Sequence, residues 1–162
     1  YIFLHGGVSH ILFNLLALWM FGGELESYFG SKKFLFYFLF CGIGAGICTV
    51  ILTPNGMIPV IGASGAIYGL LLAFGWLFPD RQIYIYFLLP VRAKYFVIIF
   101  GLIELFSSIE GTGGGVAHLT HLGGLLFGLL YMGYPTLRQK IRRNYYKRKW
   151  SQKGPGNRND YS

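Results

Sequence analysis

Charge is scarce in this chain. Only 12% of its 162 residues are charged, about half the ~25% of an ordinary soluble domain. That shortage, with 54% apolar residues, excludes a water-soluble globular domain, a disordered tail and a coiled coil. Cysteine is scarcer still: two residues cannot build the dense disulfide framework of a small secreted scaffold. The first residue is Tyr1, and no basic segment precedes the first apolar run, so there is no signal-peptide pattern. The chain reads as a piece of a longer protein. The apolar runs also lack the strict alternation of barrel strands, and no internal repeat is present. Aromatic residues at 19% and 24 glycines are abundant instead, and glycine is more frequent in membrane helices than in soluble ones. These features define an all-α, polytopic membrane protein.

Five apolar segments stand out, at Val8–Gly23, Phe34–Leu52, Gly62–Phe78, Tyr95–Ile109 and Val116–Tyr134. With tilt or local thinning, each is long enough to cross much of a ~30 Å hydrocarbon core as a helix. Helices are the open-chain solution in lipid, because every backbone group must be satisfied within the segment. The first and third segments are short, which predicts helix ends inside the membrane plane.

Basic residues are missing from the N-terminal stretch and from the connections around Asn55 and Gly113. All 14 lie elsewhere: Lys32 and Lys33 after the first span, Arg81, Arg92 and Lys94 after the third, and the rest from Arg138 onward. Five spans place these basic segments on one side, which the positive-inside rule makes cytoplasmic. The chain then begins outside, which implies at least one earlier span, hence six or more in the full-length protein. The net charge of +8 comes mostly from the tail Arg138–Ser162. Directly after a span, a basic tail reads as an anchor to anionic lipid rather than a nucleic-acid arm. The expected organisation is a transmembrane domain over 1–137 and a basic, partly disordered cytoplasmic tail over 138–162.

Polar residues within apolar spans are costly and are functional candidates by default. His10 and Asn14 lie at i and i+4, on one helix face. Taken alone they read as an interhelical polar clasp, although both side chains can also donate to a ligand. Ser64 lies in Gly62-Ala63-Ser64-Gly65 and is not in the Gly-x-Ser-x-Gly elbow of soluble hydrolases. By itself it fits helix packing, since Gly65 and Gly69 form a small-residue face. His121 shares a face with Gly124 and Gly128. If the third and fifth spans pack through these glycines, Ser64 and His121 meet at hydrogen-bond distance, on the order of 3 Å. A serine, a histidine base and two donors at similar depth form a minimal set for acyl transfer.

Ser9-His10-Ile11-Leu12-Phe13-Asn14, Gly62-Ala63-Ser64-Gly65, Tyr68 and Ala117-His118-Leu119-Thr120-His121-Leu122-Gly123-Gly124 resemble the signature blocks of rhomboid intramembrane serine proteases. They occur in that family's order, and the similarity covers Tyr1–Tyr134. The resemblance implies a Ser–His dyad, with Ser64 as nucleophile and His121 as general base and acid. It implies that Tyr68 stacks on the base and orients it where no Asp does. It implies an oxyanion hole from His10, Asn14 and the Ser64 backbone N–H, and a structural role for His5. It further implies another helix, then a loop with a Trp-Arg pair, ahead of Tyr1. The expected substrate is a transmembrane protein, cut within the bilayer from a cleft opening to the outer side. The expected location is a bacterial inner membrane. The Thr53–Ile61 connection is a candidate cap for the cleft, and Glu110–Gly115 is a mobile loop by composition.

Several residues stay outside this assignment. Glu104, near the outer end of the fourth span, tunes the cleft, pairs with a neighbour, or is a protonated or hydrogen-bonded packing carboxyl, the favoured reading. His118 receives no catalytic role. His118 and His121, at i and i+3, have metal-ligand spacing, but there is no His-Glu-x-x-His motif and no nearby carboxylate, so no metal or cofactor is expected. Cys41 and Cys48 read as apolar filler. The rival reading is a rhomboid-fold protein that binds membrane helices without cutting them. Such members characteristically lose the serine or the histidine, and this chain has both.

Overall fold

The computed structural model describes residues 1–4, 6–54, 61–85, 89–110 and 117–135. His5, most of the connections after the second and fourth spans, and the tail Arg138–Ser162 lie outside them. The chain divides into two compact units, Tyr1–Tyr131 and Met132–Ser162.

The first unit is helical. Helix α1 (Val8–Ala17) runs through one π-helical turn (Leu18–Gly22) into α2 (Gly23–Phe29). Gly30 alone separates α2 from α3 (Ser31–Leu52). Then come α4 (Ser64–Leu77) and α5 (Ala93–Glu110). The last helix, α6, covers 117–135 and so continues into the second unit. Each expected apolar segment lies on one of these helices, with two differences. The first span does not end at Gly23. The helix carries Glu24 and Glu26 on to Phe29, and Glu24 is held by Arg81 at 2.6 Å. The second difference is a two-stranded antiparallel hairpin between α4 and α5, with β1 (Gln82–Ile85) paired to β2 (Leu89–Arg92). Lys94 closes its base on Asp80 at 2.8 Å, with Arg92 at 3.5 Å. The Lys94 hydrogen bond holds the exposed Asp80 carboxyl below the usual carboxylate range.

By length and composition, Val8–Phe29 and Ser31–Leu52 can each cross a bilayer. Helix α4, with 14 residues, rises only ~21 Å against ~30 Å of hydrocarbon. It is apolar almost all round, which suits the centre of a bundle rather than its lipid face. Leu70 and Ala73 are fully buried in it, and α3, α5 and the π-helical turn all pack against it. The wide π turn presents Phe21 to α4 and α5, edge-on to Phe74 at 5.1 Å and 6.3 Å from Phe96.

The outside of the bundle is apolar. Phe3 is 81% exposed and Trp19 79%. In water such a surface would aggregate; against lipid tails it is the solvated face. Polar contacts turn inward. The Tyr37 hydroxyl donates to the Gly69 carbonyl at 2.6 Å, and Thr49 shares a hydrogen bond with Thr120 at 2.8 Å, joining α3 to α6.

Candidate active site

Ser64 is the first residue of α4. Its backbone N–H therefore has no acceptor within the helix and sits at the positive end of the helix dipole. The turn that delivers it depends on Gly62, whose φ of +109° is open to glycine and strained for other residues. The Gly62 N–H donates to the Tyr1 carbonyl at 3.0 Å. The Tyr1 hydroxyl in turn donates to the Gly42 carbonyl on α3. The missing side chain of Gly62 matters equally. A Cβ there would fall 2.7 Å from His10 Nε2 and 3.7 Å from Asn14 Nδ2. The bare turn thus admits the His10–Asn14 face of α1 to within two residues of Ser64.

Asn14 is buried, and its Nδ2 has no hydrogen-bond partner among the described residues. A buried amide donor left unpaired is costly, and it suits a group whose acceptor arrives with a ligand. His10 Nδ1 faces the Gly6 N–H at 3.4 Å.

Helix α6 meets α4 backbone to backbone. A Cβ on Gly124 would lie 1.8 Å from the Gly65 carbonyl oxygen, and one on Gly128 3.3 Å from Gly69 Cα. Gly65 and Gly69 also accept Ala45 and Cys41 of α3 on their open sides, each Cβ within 2.7 Å of where theirs would be. Cys41 is fully buried and Cys48 packs at Gly123. This close approach carries His121 to Ser64, with Nε2 2.9 Å from Oγ. The Tyr68 ring, one turn along α4, stacks on the imidazole at 4.3 Å and 12°.

Glu104 corrects the expectation that no carboxylate lies near the two histidines. It is 6% exposed on α5. The Tyr68 hydroxyl donates to its Oε1, His118 Nδ1 lies 2.5 Å from Oε2, and His121 Nδ1 lies 3.0 Å from Oε1. Glu104 is thus a buried carboxyl hydrogen-bonded by its neighbours, which fits both the pairing and the hydrogen-bonded packing readings. Its contact with His118 spans fourteen residues and two helices. The sequence signal for it was an acid inside an apolar span; its partners were not readable. Ligand atoms of Glu104, His118 and His121 lie within 4.8 Å of one another and are the group that could hold a metal ion.

The Rhomboid domain model matches residues 1–138, and the chain belongs to the rhomboid family of helical membrane proteins. It is 36% identical over 131 residues to Rhomboid protease GluP of Bacillus subtilis, covering 78% of this chain and 23% of that one. It is 29% identical over 143 residues to Rhomboid protein 1, mitochondrial, of Saccharomyces cerevisiae, covering 82% and 39%. It is 28% identical over 134 residues to Rhomboid protease GlpG of Yersinia pestis, covering 83% and 46%. The chain therefore spans less than half the length of these relatives. No solved structure gives a significant match. Two of these three relatives are named rhomboid proteases.

Proposed function

We propose that this protein is an intramembrane serine endopeptidase that cleaves transmembrane helices of other membrane proteins with Ser64 and His121. The observation that carries the reading is the 2.9 Å contact between Ser64 Oγ and His121 Nε2, with Tyr68 stacked on the ring. That is nucleophile-to-base distance.

In the reaction, Oγ attacks the scissile carbonyl carbon while Nε2 takes its proton. The carbonyl π electrons move to oxygen. Asn14 Nδ2, His10 and the Ser64 N–H donate to that oxyanion. As it collapses, the C–N bond breaks and the imidazolium protonates the departing amine. Water then attacks the acyl ester with His121 again as base, and Ser64 regains its proton as the acid product leaves. No cofactor is needed.

Under this reading residues 1–137 form the membrane domain and 138–162 a basic cytoplasmic tail near anionic lipid. The cleft opens to the outer side of a bacterial inner membrane. The substrate helix must unwind locally to present its peptide bond.

The experiment is cleavage of a single-span substrate by the full-length protein in liposomes. Asn14→Ala should retain its fold and lose about 10²–10³ in kcat, the effect of removing one oxyanion donor. An Asn14→Ala variant with wild-type kcat would remove Asn14 from the site.

A further inference from the structure

The rhomboid pattern orients its base by stacking, without an acid. Here the fold adds one. Ser64 Oγ, His121 Nε2, His121 Nδ1 and Glu104 Oε1 follow one another at 2.9 Å and 3.0 Å on either side of the ring. This is the order hydroxyl, imidazole, carboxylate that three-residue hydrolase sites share. We propose that Glu104 is a positioning residue that keeps the His121 proton on Nδ1 and steadies the imidazolium formed during turnover, with Tyr68 and His118 holding the carboxylate in place. The inference rests on the protease reading above.

Three observations carry it. First, His121 Nδ1 is buried and has no hydrogen-bond partner among the described residues. Glu104 Oε1 stands 3.0 Å away, off the line of a straight bond. Bonds of this kind are commonly misaligned before substrate binds and tighten in the complex. Second, the carboxylate is fixed at both oxygens. Tyr68 donates to Oε1 and His118 faces Oε2 at 2.5 Å, so the side chain cannot turn away from the base. Third, Tyr68 serves both groups. Its ring stacks on His121 while its hydroxyl binds Glu104, which ties base and carboxylate to one rigid side chain. A packing carboxyl needs only neighbours; this one faces the ring nitrogen that governs which tautomer presents a lone pair to Ser64.

The test uses the full-length protein in detergent, with ¹⁵N-labelled histidine and His121→Ala to assign the resonances. In wild type, the neutral His121 should carry its proton on Nδ1; a proton on Nε2 overturns the proposal. Glu104→Gln should lower kcat by roughly 10- to 100-fold. That is short of the ~10⁴ lost when the acid alone orients the base, because Tyr68 still stacks. KM should stay within about twofold and the unfolding midpoint should not move, while Glu104→Asp should recover part of kcat. Unchanged kcat, or a loss that follows the unfolding midpoint, makes Glu104 structural and overturns the proposal. If Glu104→Gln does not fold, the wild-type tautomer decides. A wild type that neither cleaves nor labels at Ser64 would sink the protease reading instead, and the tautomer would still report on Glu104.

Discussion

Ser64→Ala should bring cleavage of a single-span substrate down to background, a fall of at least about 10³-fold, with the unfolding midpoint unchanged. The substitution removes one oxygen and leaves the helix start, the Gly62 turn and the α4–α6 contact in place. His121→Ala should cost about as much, since a serine hydroxyl without its base is a weak nucleophile. Ser64→Ala combined with His121→Ala should be no worse than either alone, because the two groups act as a unit. Initial rates in liposomes and thermal unfolding in detergent check all three. Cleavage at wild-type rate by either single variant would show that the 2.9 Å contact is packing rather than chemistry.

The second large effect is structural. Gly124→Ala places a Cβ 1.8 Å from the Gly65 carbonyl oxygen and 2.7 Å from its carbon. Neither atom belongs to a side chain that can swing aside, so α4 and α6 must separate by an ångström or more. Overpacking of this kind costs typically ~1–3 kcal/mol, and backbone against backbone lies at the upper end. Gly65 follows Ser64, and Gly124 lies one turn beyond His121, so the separation opens the Ser64–His121 distance directly. A misplacement of about 1 Å is worth on the order of 10²-fold in rate. A lowered unfolding midpoint together with that loss of kcat is expected. Gly23→Ala is the control. It lies within the continuous helix with φ −60°, and nothing stands within 4 Å of its would-be Cβ. It should be neutral or stabilise by up to about 1 kcal/mol through helix propensity. Equal effects from the two substitutions would mean that α4 and α6 do not approach as closely as described.

The pairing of these two helices was legible because spacing carries it. Gly65 and Gly69 on one helix, and Gly124 and Gly128 on the other, recur every four residues, and that period defines a face. The same spacing puts His10 and Asn14 on one face of α1. The hairpin was not foreseen. Its alternation in Gln82-Ile83-Tyr84-Ile85 covers only four residues, and Arg81, Arg92 and Lys94 drew attention as topology signals instead. The run from Gly23 to Phe29 was hidden because two glutamates end the apolar stretch; Glu26 is exposed, and the partner of Glu24, Arg81, arrives from beyond α4. The Glu104 partnership was hidden for a more general reason. Which side chains meet across α4, α5 and α6 depends on the rotation of each helix about its axis. Spacing within one helix does not specify that rotation.

Fluorophosphonate labelling of the full-length protein, with the adduct located by mass spectrometry, tests the central claim most directly. The reagent reacts with a serine only when its oxygen is activated. A single adduct on Ser64 in wild type, absent from folded Ser64→Ala and from folded His121→Ala, is the expected result. A folded wild type with no adduct, or with an adduct that persists without His121, would contradict the account and favour a rhomboid protein that binds membrane helices without cutting them.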